Sequence, residues 1–242
     1  MHASLIHFRP YSSTHLAITA ACAAAILILC LIGRARRRTP SELRLRRALG
    51  SLGLLFFIIH NVYWLAPANF TPARSLPFHL CDLAGVISPL ALLVPARILR
   101  TLAYFWGFVL GLQGFFQPVI TEGPATFIFW GFFLAHTFNV GCALYDVAVG
   151  GFAPTLRDVI TAILASLLYL AVMLPFNIIT GFNYGYVGPG AAAQPTLLDV
   201  LGPWPFRLLP MFLILCAAFL LAWAPWAIAA RSRRAAPPTI RA

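Results

Sequence analysis

An all-α, polytopic membrane fold with seven transmembrane helices is what this chain predicts, and three observations carry that reading. Of 242 residues, 61% are hydrophobic and only 10% charged, with a mean hydropathy of +0.86. No soluble domain needs that apolar fraction. The apolar runs reach the length that crosses the hydrocarbon core of a bilayer. All 17 basic residues are arginine, and they cluster beside those runs, as membrane topology requires. The resulting net charge of +11 therefore points to a membrane surface, and no nucleic-acid partner is expected.

The first span is read over 14–32. The arginines Arg34, Arg36, Arg37 and Arg38 follow it, whereas a cleavable signal peptide carries its positive charge ahead of the apolar run. It is therefore expected to stay in the protein with the N-terminus outside. The second span, 48–65, ends in His60-Asn61-Val62-Tyr63-Trp64, with aromatics at interface level. The third, 77–94, is expected to start with Ser75 as cap and Pro77 in the first turn, where a missing N–H is no loss. Arg97 and Arg100 are read as a short turn before the fourth span, 101–116. The fifth covers 125–147, the sixth 158–179 and the seventh 208–229.

Seven crossings fix alternating sides. Arg34, Arg36, Arg37, Arg38, Arg44, Arg46, Arg47, Arg97, Arg100, Arg157, Arg231, Arg233, Arg234 and Arg241 fall inside. Only Arg9, Arg74 and Arg207 fall outside, so 17 arginines divide 14 to 3. That is the positive-inside pattern for a cytoplasmic C-terminus in an inner (plasma) membrane. The whole of 1–242 reads as one transmembrane domain, with a Gly/Pro-rich outer loop over 180–205 that is long enough to be functional. Within it, 196–201 reads as a short interfacial helix.

Polar residues inside such spans are costly to place in lipid, which makes each a candidate for function. His79, Cys81 and Asp82 lie at the head of the third span, His60 and Asn61 near the outer end of the second, and Gln113 and Gln117 at the outer end of the fourth. Asn177 marks the outer end of the sixth. His136 lies about 17 Å into the fifth, with Asn139 one turn further on its face and able to orient its ring. These groups are expected to share an outer cavity, with His60, His79, Cys81, Asp82 and Gln113 lining it. The alternative is a set of locally satisfied core residues, with His79 and Asp82 bonded to each other. Asp146 reads as structural.

The five cysteines (22, 30, 81, 142 and 216) form neither a disulfide framework nor a zinc ribbon. No H-x-x-x-H or H-E-x-x-H pair supplies metal ligands, and no nucleophile elbow, phosphate loop or dinucleotide fingerprint occurs. Neither metal nor cofactor is expected. A Cys/His pair is the one nucleophilic arrangement on offer.

Four separated runs carry a family resemblance: Pro77-Phe-His-Leu-Cys-Asp-Leu83, the His136 to Asn139 region, Asn183-Tyr-Gly-Tyr186 and Leu198-Asp-Val-Leu-Gly-Pro-Trp-Pro205. In that order, over roughly 48–225, they resemble the YwaF-type bacterial membrane proteins. These are similar to a eukaryotic ether-phospholipid acyltransferase and, more distantly, to androgen-induced hydrolases of fatty-acid esters. The resemblance implies acyl transfer on a membrane lipid, with Cys81 as nucleophile and His136 as base. The hydrolases pair a threonine with a histidine, so the cysteine here aligns the chain with the acyltransferase. A non-enzymatic transporter or ligand-binding protein using the same polar cavity is the alternative.

Overall fold

The computed structural model describes residues 7–190 and 196–235. Its described residues form seven long helices, two short 3₁₀ segments and no β-strand; a single isolated bridge pairs His7 with Glu122. The helices are α1 (Ser13–Ala35), α2 (Pro40–Leu65), α3 (Leu80–Leu93), α4 (Arg97–Phe116), α5 (Phe127–Gly150), α6 (Leu156–Thr180) and α7 (Leu208–Ala235). Six are long and apolar enough to cross a membrane. The exception is α3, whose 14 residues rise only about 21 Å.

The start of α3 differs from expectation. Ser75 and Pro77 lie before the helix, and His79 is the N-cap. The reason is long-range: the Tyr184 hydroxyl accepts the Leu76 N–H (3.1 Å) and the Tyr169 hydroxyl donates to the Phe78 carbonyl (2.8 Å). Backbone held open by side chains from the sixth helix and the loop after it has no need of helical partners. Such irregular backbone survives at membrane depth only inside protein. Arg97 and Arg100 also fall inside α4, whose central stretch Ala103–Leu110 is wound as a π-helix.

Helix α5 sits at the centre, packed by α1, α2, α3 and α4, while α6 and α7 lie against the far side of α4. Burial is greatest in α4 and α5, with 50% and 39% of their apolar windows buried, and least in α7, with 6%. Small residues allow the close α2–α3 contact. A Cβ at Gly50 would meet the Leu93 side chain at 2.7 Å, and one at Gly53 would meet the Pro89 ring at 2.7 Å. In lipid, where apolar surface gains little from being covered, such backbone approach is what holds helices together.

At the arginine-rich end, Arg100 forks onto Asp146 (2.7 and 2.8 Å) and Arg97 onto Asp158. Asp146 thus ties α5 to α4. At the opposite end, the Leu197–Leu201 segment does form a short helix, but of 3₁₀ type, capped by Asp199 accepting the Thr196 N–H (2.6 Å). The Tyr184–Tyr186 turn is fixed by Gly185, whose φ of 65° suits glycine and whose missing Cβ leaves room for the Tyr169 hydroxyl.

Candidate functional site

The loop after α6 docks onto the segment preceding α3 through Tyr184, a fully buried side chain. Its hydroxyl donates to Pro72 (2.6 Å) while accepting from Leu76. Asn177 holds the same residue from below, donating to the Tyr184 carbonyl (2.9 Å) and accepting its N–H (3.0 Å). Gln117 accepts the Leu197 N–H (3.0 Å). Burial keeps the Tyr184 and Tyr186 phenols above the ordinary tyrosine range, so both remain protonated donors.

Beneath this cap lies a cavity of about 20 Å³ lined by His60, Cys81, Asp82, Gly85, Phe138 and Asn139, among others. That is room for about one water molecule. Three helices supply the polar groups: α2 gives His60, α3 gives Cys81 and Asp82, and α5 gives Asn139. Pro89 has no N–H to donate to the Gly85 carbonyl, leaving one more acceptor on this side of α3. Asp82 accepts the His79 N–H (2.9 Å) and closes the first turn of α3. Among the acids of the helices, Glu42, Asp146 and Asp158 each have an arginine, whereas Asp82 has no ion-pair partner among the described residues.

The expected grouping is met by His60, Cys81 and Asp82, with Asn139 added. His79 lies outside the cavity lining: its Nδ1 accepts the Gly185 N–H (3.2 Å), and its ring lies against Tyr184 and Tyr186. It therefore does not bond Asp82 through its ring. Gln113 is exposed and takes no part, because the local winding of α4 turns it outward. Asn61 donates to the Phe57 carbonyl of its own helix (2.9 Å).

Asn139 does not orient His136. It donates to the Cys81 carbonyl (2.9 Å), tying α5 to the first turn of α3, while its own carbonyl oxygen is buried without a partner. His136 is oriented from within α5, through Nδ1 and the Phe132 carbonyl (2.8 Å), with Phe132 and Phe115 about its ring. It does not line the Cys81 cavity but faces Gly114, where a Cβ would fall 2.4 Å from Nε2.

Hydrogen-bond partners fix the tautomers. A carbonyl only accepts, so Nδ1 of His136 carries the proton and Nε2 is the basic nitrogen. His60 accepts the Trp64 indole N–H at Nε2 (3.1 Å), and His79 is occupied at Nδ1. His15, a buried histidine the sequence reading passed over, accepts the Tyr11 N–H at Nδ1 and donates from Nε2 to Phe115 (both 2.9 Å). Of these four rings, only His136 has a lone pair with no donor on it among the described residues. No group of three or more His, Cys, Asp or Glu assembles there in a metal-binding arrangement.

No curated protein and no solved structure matches the chain. The model of one membrane-protein family does, over residues 10–223, a stretch that holds every residue of the cavity and its cap. With all but the two ends of the sequence inside that match, the chain belongs to the TMEM164 family.

Proposed function

We propose that this multi-pass membrane protein is an acyl-transfer enzyme acting on a lipid of the outer leaflet of the inner (plasma) membrane, with Cys81 as nucleophile and His136 as base. The observation that carries the reading is the open Nε2 lone pair of His136, one helical turn from an Asn139 bonded to the Cys81 backbone. The Cβ atoms of residues one turn apart lie about 5–6 Å from each other, so Asn139 is the link between the histidine, which does not itself line the Cys81 cavity, and the cysteine backbone. The resemblance to the ether-phospholipid acyltransferase supports the same pair.

In the step, His136 Nε2 takes the Cys81 proton as sulfur bonds to the acyl carbon. The ester C–O bond breaks and the departing lipid oxygen takes the proton. An acceptor hydroxyl, or water, then attacks the thioester as the C–S bond breaks, its proton passing through His136 to the released Cys81 sulfur. His60 (through Nδ1–H) and Asn139 (through its amide) are the donors placed to stabilise developing oxyanion charge. Since the cavity holds only about one water, taking up an acyl chain requires it to widen. His79, Asn177 and Gln117 act at a distance, by holding the cap.

The test is incubation of the purified protein with a phospholipid bearing a fluorescent acyl chain and a lysophospholipid acceptor. The wild type should acquire a hydroxylamine-labile label and transfer the chain. Cys81→Ala should lose both, and His136→Gln should lower both by at least about a hundredfold, the usual scale of a general base. Transfer by Cys81→Ala at the wild-type rate would end the proposal. A second reading, binding of a small polar ligand without chemistry, is favoured by the cavity's size and by Asp82's lack of an arginine. It predicts no label on either protein.

A further inference from the structure

At the opposite end of the bundle a larger groove opens between the first turns of α4 and α6. Its volume is about 460 Å³, and Arg97, Ile98, Thr101, Thr155, Arg157, Asp158 and Thr161 form its walls. Two helices each contribute one arginine. The floor is Asp158, whose charge is already consumed: Oδ1 accepts from Arg97 Nε (2.9 Å) and Thr101 (2.7 Å), and Oδ2 from Arg97, the Thr155 N–H and the Thr155 hydroxyl. A carboxylate so enclosed repels an incoming anion weakly. It also pins the Arg97 guanidinium by one edge, leaving Nη1 outward on a side chain still 58% exposed. Arg157 has no acidic partner among the described residues, so the groove carries one uncompensated positive charge.

Threonines and Ile98 complete the groove lining, and exposed apolar side chains of α6 lie beside it. Ile98 is 48% exposed, Leu156 47%, Ile160 50% and Leu164 59%. These side chains continue from the groove along α6 into the span. A soluble anion has no use for that strip, whereas a lipid would lay an acyl chain on it.

We propose that this groove binds the phosphate-bearing headgroup of an anionic phospholipid, with Arg97 and Arg157 on the phosphate and an acyl chain along Leu156, Ile160 and Leu164. The site is separate from the Cys81 cavity and independent of its chemistry. Basic recesses between helices at the arginine-rich side of a membrane protein suit such headgroups, and arginine meets phosphate through paired N–H groups. The same end carries the α1–α2 arginines, since a Cβ at Gly151 would meet Arg37 at 2.9 Å.

The experiment is native mass spectrometry of the full chain, purified and exchanged into detergent with added phosphatidylglycerol or phosphatidylcholine. The wild type should retain one phosphatidylglycerol and not the zwitterionic lipid. Arg157→Gln, which breaks no recorded contact, should weaken retention about fivefold, the effect of one basic residue at a membrane surface. Arg74→Gln, which removes one charge at the other end, should leave it unchanged. Glycerol 3-phosphate in millimolar excess should not displace the lipid. Equal retention of both lipids, loss of binding in Arg74→Gln as large as in Arg157→Gln, an unaffected Arg157→Gln, or displacement by glycerol 3-phosphate would each overturn the proposal.

Discussion

The buried histidines divide according to which ring nitrogen a neighbour occupies, and this separates roles that the residue type alone does not. His15, His60 and His79 have their lone pairs taken by a backbone or indole N–H, so each is held as a linker. His136 is held by its protonated nitrogen and presents the other. Gly114 is the second half of that arrangement, because any side chain there would overlap the ring: a Cβ would fall 2.2 Å from Cδ2. Gly114→Ala should therefore push the His136 ring out of position, lower acyl transfer about as much as His136→Gln, and cost about 1–3 kcal/mol through overpacking. Transfer assays beside thermal melts check this. A variant as active as wild type would remove His136 from the chemistry. Asn139→Ala belongs to a different class. It would strip the Cys81 carbonyl of its donor, and a melt should report the roughly 1–3 kcal/mol of an orphaned buried group.

Among the helices, the ion pairs at the arginine-rich end fix α4 against α5 and α6, and the two pairs should respond unequally. Among the described residues, Arg100 is the one side chain bonded to the Asp146 carboxylate, so Arg100→Gln would leave a buried charge without its partner, at about 3–5 kcal/mol. Asp158 would keep Thr101 and Thr155 after Arg97→Gln, and the expected loss is nearer 1–3 kcal/mol. Thermal unfolding in detergent should rank them in that order; the reverse ranking would mean the threonines do not shield Asp158. The sequence made these helices legible because length and apolarity alone define a span. It misled at α3, where Ser75 and Pro77 carry a good local start signal that Tyr169 and Tyr184 override from about 100 positions away. The same limit shaped the site. His60, Cys81 and Asp82 line one cavity, and each lies near a helix end on the same side, which their positions in the sequence display. Gln113 shared that level but not that side, and the tautomer that singles out His136 rests on a carbonyl no residue pattern displays.

For the molecule as a whole, the distribution of arginine orients the fold, and the structure brings the arginine-bearing segments to one end. Gly150 and Gly151 approach Arg100 and Arg37 there, and Tyr145 of α5 reaches Glu42 at the start of α2. The cavity and its aromatic cap occupy the opposite end, with only Arg9, Arg74 and Arg207 in the segments around it. Because arginine near a span resists translocation, the rich end should face the cytoplasm and the Cys81 cavity the exterior. Exposed positions near each end allow a direct test. In a chain whose native cysteines are replaced by alanine, Ala73→Cys, between α2 and α3, should react with a membrane-impermeant maleimide in intact cells. Ala35→Cys, at the end of α1, should react only after permeabilisation. Labelling in the opposite sense would invert the molecule. The acyl-transfer proposal would then have to draw its lipid from the cytoplasmic leaflet, and the phosphate groove would open on the other.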